Sequence, residues 1–274
     1  EFLSALLTKA AEDQRAVAAY NLRRLEHIAW AAPHAVTQLD RLPDDQQATA
    51  VRLIAASGIS RQEALVALAH LAEHGGVPAR RAAVQALAEY PGIEANAAVA
   101  RALDDPDPQV VAQAARQIRG RNIPGAVSRL VSLADHPDES IRQAVRESLT
   151  EFSFEKYLAS FDQLEPAVQR GTGELVRKID PRTLDGLRAE MESTTRTRRL
   201  RAIAMAVAMG AVSALAADLV RLVDDSDHIV RLEAVEVLSE LNSTAAYEAL
   251  QLALTDPSAV VQEAARNSLQ QLTW

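Results

Sequence analysis

Three sets of side chains have types and spacings from which chemistry could be built. His70-Leu71-Ala72-Glu73-His74 places two imidazoles at i and i+4, with a carboxylate beside the second. On a helix those histidines share a face, which is the spacing a zinc ion needs. Zinc also requires a third ligand and a cleft, and the sequence proposes neither. Histidines just ahead of Gly75-Gly76 suit a helix C-terminus, where positive charge meets the negative end of the dipole. Gly171-Thr172-Gly173 has two glycines of a phosphate loop but no third glycine, no Gly-Lys-Ser ending and no preceding strand. The expectation there is a helix defect. The third set is arginine: Arg196-Thr197-Arg198-Arg199-Leu200-Arg201 closes a stretch from Glu165 with nine basic and six acidic side chains, within a chain of net charge −8. No nucleophile arrangement is visible, and the carboxylates sit at caps and solvated faces, which selects no catalytic pair. The residues predict no enzyme, no metal site and no cofactor.

The elements that would carry these groups follow one pattern. Asp224 to Leu241 reads DDSDHIVRLEAVEVLSEL. Asp227 can cap a helix by accepting the free N–H groups of its first turn. Val230, Ala234, Val237, Leu238 and Leu241 then form an apolar stripe, with Arg231, Glu233, Glu236 and Glu240 opposite. Related pieces recur about every 30 residues: Val110-Val111-Ala112, Ile141-Arg142-Gln143, Val168-Gln169-Arg170, Leu200-Arg201-Ala202 and Val260-Val261-Gln262. Several follow Asp-Pro or Pro-Asp, as at Asp105-Pro106-Asp107-Pro108, Pro137-Asp138 and Asp256-Pro257.

This pattern resembles HEAT repeats, most closely the short, alanine-rich kind of the phycobilisome lyases, over nearly the whole chain. The resemblance implies an all-α fold, an α-solenoid of about nine antiparallel helical hairpins in a single domain spanning 1–274. A hairpin of this size covers only one of its two faces itself, so stacking on neighbours must bury the other. The expected hairpins begin at Phe2, Pro33, Ser60 (with Glu63 in capping-box position), Pro91, Pro124, Phe154, Pro181, Gly210 and Asn242. The first pairs Phe2–Ala11 with a helix from Asp13 to Ala31, and Tyr20, Trp30 and Trp274 are expected to seal the ends. HEAT-like hydroxylases hold iron with His-Glu pairs, and this chain has no His-Glu dipeptide.

Composition narrows the function. Acidity argues against a general nucleic-acid partner, which wants a basic face. Absence of cysteine excludes disulfides and thiolate chemistry. Arginine outnumbers lysine 26 to 3, a bias of GC-rich bacterial coding. Ala202 to Ala217 is nearly all apolar but too short to span a membrane, and it contains Gly210, so two buried helices meeting at a turn are expected. The chain starts at Glu1 without Met and is expected to be a fragment.

The resulting expectation is a cytoplasmic, non-enzymatic scaffold that binds another protein through an acidic segment of that partner. A segment outside the chain would allow tethering to a membrane. The binding face would be the concave row of second helices, at Arg142, Arg146, Arg170, Arg177, Arg199, Arg201 and Arg231. The alternative expectation is a ladder pairing Arg142, Arg201 and Arg231 with acids of adjacent repeats. The repeat type also implies, as alternatives, a bilin lyase or isomerase subunit, and a regulatory domain of a membrane transporter or sensor.

Overall fold

The computed structural model describes residues 21–271, the Trp30 side chain excepted. The Phe2–Ala11 helix, Tyr20, the Trp30 side chain and Trp274 lie outside the described residues. Two compact units, Glu1–Leu149 and Thr150–Trp274, divide the chain. Every element within the described residues is helical.

In the first unit a 3-10 helix, Val36–Arg41, precedes α1 (Asp44–Ala56). Then come α2 (Arg61–His74) with α3 (Val77–Ala86), α4 (Ile93–Arg101) with α5 (Pro108–Ile118), and α6 (Ala126–Leu133) with α7 (Glu139–Ser148). Second helices form one row, α1 on α3 on α5 on α7, while α2 packs on α4 in the other row. The second unit holds α8 (Phe154–Ser160) with α9 (Pro166–Ile179), α10 (Thr183–Met191) with α11 (Arg196–Ala208), α12 (Ala216–Leu222) with α13 (His228–Leu238), and α14 (Thr244–Ala253) with α15 (Ala259–Gln271). Its rows run α9 to α11 to α13 to α15, and α10 to α12 to α14. Within each unit the fold is therefore a solenoid of helical hairpins. All eight hairpins expected from Pro33 onward are present, the first opening with a 3-10 rather than an α-helix. The helix expected to reach Ala31 does not: residues 25–28 are irregular, and the Leu25 carbonyl is taken by the Gly58 N–H at 3.0 Å instead of a helical partner.

Local signals explain these elements. Asp107, Asp138 and Asp227 cap α5, α7 and α13 by accepting backbone N–H groups at 2.9–3.1 Å. Ser60 caps α2, accepting the Glu63 N–H at 3.2 Å. The buried stripes hold Val110 and Ile141 in the first unit and Val230 in the second, where Leu200 is partly buried against the core that contains Val230. Val168 departs from that expectation and is 48 % exposed. The inward side chain of this turn is Gln169, held by its Nε2 donating to Phe161 O at 2.9 Å, and Val168 sits about 100° round the helix from it.

The apolar stretch around Gly210 is two helices, as its composition suggests. Gly210 has φ +60°, and the N–H groups of Ala211 and Gly210 bond to the carbonyls of Ala206 and Val207. That left-handed residue closes α11 and turns the chain toward α12. Among the described residues no helix is long and apolar enough to cross a membrane. Gly173 does not break α9, which continues to Ile179. A Cβ there would sit 2.7 Å from the Tyr157 hydroxyl oxygen and 3.0 Å from Met209 Cγ, so the glycine admits the Tyr157 ring. Tyr157 is 2 % exposed, and its hydroxyl donates to Gln169 O at 2.7 Å.

Candidate functional site

The arginines separate according to their distance from the helix cap. Counting from the residue before each second helix, the fourth position holds Arg80, Arg142, Arg199 and Arg231 in α3, α7, α11 and α13. A side chain there points back over the first turn toward the preceding connection. Each guanidinium donates to a carbonyl of that connection: Arg80 to Gly75 O, Arg142 to His136 O, Arg199 to Ser193 O and Arg231 to Asp225 O, at 2.6–2.9 Å. Gln47 and Gln262 occupy the same position and do the same with Leu42 O and Asp256 O.

Three of these arginines also reach the next hairpin. Arg80 pairs bidentately with Asp105 at 2.7 and 3.0 Å, and Arg231 with Asp256 at 2.7 and 2.8 Å. Arg199 bonds to Asp225 Oδ1 at 2.9 Å, and its Nε lies 2.8 Å from Oδ2 without hydrogen-bond alignment. Each acid sits two residues before the next cap, where its Oδ1 also accepts the N–H of Asp107, Asp227 or Ser258 at 2.8 Å. The pairs are largely withdrawn from water; Arg199 and Asp225 side chains are 11 % and 9 % exposed. Arg231 holds the Asp256 carboxyl below the usual carboxylate range, and Asp256 raises Arg231 in return. Such a charge is part of the scaffold.

The remaining expected arginines sit differently. Arg142 and Arg146 converge on the Glu139 carboxylate, whose pKa they lower, Arg146 more than Arg142. Arg201 lies 3.3 Å from Asp162 and 4.0 Å from Glu190, a buried acid that Arg198 grips at 2.6 and 2.8 Å and holds below its ordinary pKa. Arg170 and Arg177 are exposed on α9 and have no ion-pair partner among the described residues. They are the fifth and twelfth residues after the cap, each one residue past an inward position, those of Gln169 and Val176. Glu174 lies exposed between them, and Val168 and Gly171 complete the low-relief outer face.

The zinc-like pair is engaged elsewhere. His70 Nε2 lies 2.6 Å from Asp40 Oδ1, and the His70 and His74 rings stack obliquely at 4.8 Å. Among the described residues no group of three or more His, Cys, Asp or Glu could hold a metal ion. Sequence reasoning missed Arg121, which lacks a carboxylate and instead donates to Tyr90 O at 3.1 Å, Asn96 Oδ1 at 3.0 Å and Leu87 O. It thereby ties α5's end to the carbonyls that end α3 and its 3-10 extension, and burial lowers its pKa.

A profile described as HEAT repeats matches residues 95–179 and 181–270, and the chain belongs to the HEAT repeat family. Among solved structures it is similar to an engineered protein at 20% identity and TM-score 0.27, over 99% of this chain and 95% of the other. A designed armadillo repeat protein is 20% identical with TM-score 0.27, over 88% and 99%. A second engineered protein is 18% identical with TM-score 0.29, over 98% and 87%. No curated protein matches, and the narrower likeness to phycobilisome-lyase-type repeats has no support from these comparisons.

Proposed function

We propose that this chain is a non-enzymatic HEAT-repeat scaffold that binds an acidic segment of another protein along its second helices. The observation that carries the reading is the pair Arg170 and Arg177: exposed, on one helix, and without ion-pair partners among the described residues, in a fold that engages its other expected arginines. Seven residues separate them, which is about 10 Å along a helix. A carboxylate-bearing segment could meet both, and the neighbouring Gly171 adds no side chain that would hold it away. An exposed cation pair of this kind contributes to capture rate and selectivity, with strong salt dependence.

The test uses fluorescein-labelled decaglutamate as the probe, with anisotropy as readout. Binding should weaken steeply with added salt and disappear in Arg170→Glu/Arg177→Glu, while thermal unfolding stays nearly unchanged. Arg199 and Arg231 are unsuited to charge reversal, because each holds an acid of the next hairpin. Binding that survives reversal at Arg170 and Arg177 would refute the assignment of this face.

A further inference from the structure

In the first unit a groove of about 600 Å³ crosses the outer faces of α1, α3 and α5. Its floor is low because Ala55, Ala82 and Ala86 end at Cβ. Along it stand three amide side chains, Gln85, Gln109 and Gln113, none of which bonds to a described residue through its amide. The two charged side chains on the rim, Arg52 and Arg81, are both engaged within the protein, Arg81 bidentately with Asp107 at 2.6 and 2.8 Å. Among the described residues no carboxylate lines the groove. What the surface offers is therefore paired donors and acceptors rather than net charge.

We infer that this groove holds an extended segment of a partner protein by its main chain. A primary amide presents one N–H₂ donor and one C=O acceptor, the complement of a peptide group. Gln109 and Gln113 are four residues apart on α5, about 6 Å along the axis. Peptide groups facing one side of an extended chain recur every two residues, about 6.6 Å. The two amides thus match successive same-side peptide groups, and Gln85 on the adjacent helix meets the chain from the other wall. The alanine floor lets a backbone approach without displacing side chains. Because recognition falls on the backbone, the segment's sequence is constrained chiefly by what fits over alanine: small or unbranched residues, without proline at the bonded positions. This rests on the interaction reading above only in its class, since its residues, its unit and its salt response are different.

The experiment selects a displayed library of random 12-residue peptides on the whole chain and measures the best-enriched peptide by anisotropy. Binding should persist from about 50 to about 500 mM salt, a range that would screen an ionic contact. It should also be indifferent to Arg170→Glu/Arg177→Glu. Gln109→Leu and Gln113→Leu should each weaken it about 5-fold, the ordinary effect of one hydrogen bond. N-methylation of alternate peptide nitrogens should abolish it on one phase and spare it on the other, a readout that does not depend on any variant folding. Four results would overturn the inference. These are no enriched peptide, affinity unchanged by the glutamine substitutions, an enriched peptide that is acidic and lost with the α9 arginines, or a groove that proves to hold a second copy, seen as dimers dissolved by the same glutamine substitutions.

Discussion

The hairpins α8–α9 and α12–α13 belong to one unit and are held together by different means. In α12–α13 the joint is electrostatic: Asp225 receives Arg199 from the preceding hairpin, and Arg231 reaches Asp256 of the following one. In α8–α9 the joint is aromatic. Gln163 and Gln169 stand where the other hairpin has acid and arginine, and the buried Tyr157 ring fits against Gly173. The comparison shows how one residue type acquires two roles. The arginine at the fourth position after the cap of α11 and α13 is consumed by the scaffold; Arg170, one residue further along α9, is turned by about 100° and faces water, whereas Arg81 at that same fifth position of α3 pairs with Asp107. Among the described residues the α8–α9 hairpin has no ionic joint of this kind, and its Arg170 and Arg177 are the side chains of the proposed contact.

Breaking an ionic joint should have the largest effect. Asp225→Ala leaves the Arg199 guanidinium buried and unpaired, which should cost about 3–5 kcal/mol in urea unfolding. Replacing both partners, Asp225→Leu with Arg199→Met, should recover most of that loss.

The aromatic joint should respond to volume instead. Gly173→Ala places a methyl against the Tyr157 hydroxyl and should cost about 1–3 kcal/mol, since the ring cannot move without disturbing the core. Tyr157 also gives the joint a signature in alkali. Burial pushes its phenol up to about 12 from 10.0, so the fold favours the protonated form. That contribution is whole below pH 10, where both states keep the proton. It is lost as pH rises from 10 through 12, because the unfolded chain ionises first. Urea midpoints should fall across that window, and Tyr157→Phe should flatten the fall while removing the bond to Gln169 O, at a cost of about 1 kcal/mol. The smallest effect has the opposite sign. Gly171 is exposed, and a Cβ added there would meet nothing within 4 Å, so Gly171→Ala should stabilise α9 by about 0.5–1 kcal/mol.

The hairpins from Pro33 onward were legible in the sequence because caps, period and apolar stripe all agree, as at Asp227 and Val230. The arginine roles were legible only in kind. Aligning Leu200-Arg201 with Val230-Arg231 slips the repeat by two residues, and helical geometry turns such a slip into a different face; aligning Val168 with Val230 keeps the register and sets Gln169, not Arg170, opposite Arg231. The cap fixes the register: Thr195 before α11 makes Arg199 the counterpart of Arg231. Gln163 stands two residues before the α9 cap, where α5, α13 and α15 have Asp105, Asp225 and Asp256. The amide groove left no trace in the sequence, because Gln85, Gln109 and Gln113 come from two helices and carry no charge pattern.

The dependence of arginine role on position is tested most directly by urea unfolding of four single variants side by side: Arg199→Ala, Arg231→Ala, Arg170→Ala and Arg177→Ala. The first two should each lose about 3–5 kcal/mol, for an acid left buried without its cation. The last two should stay within about 0.5 kcal/mol of the parent, as exposed substitutions do. Equal losses across all four, or a larger loss at Arg170 than at Arg199, would contradict the account.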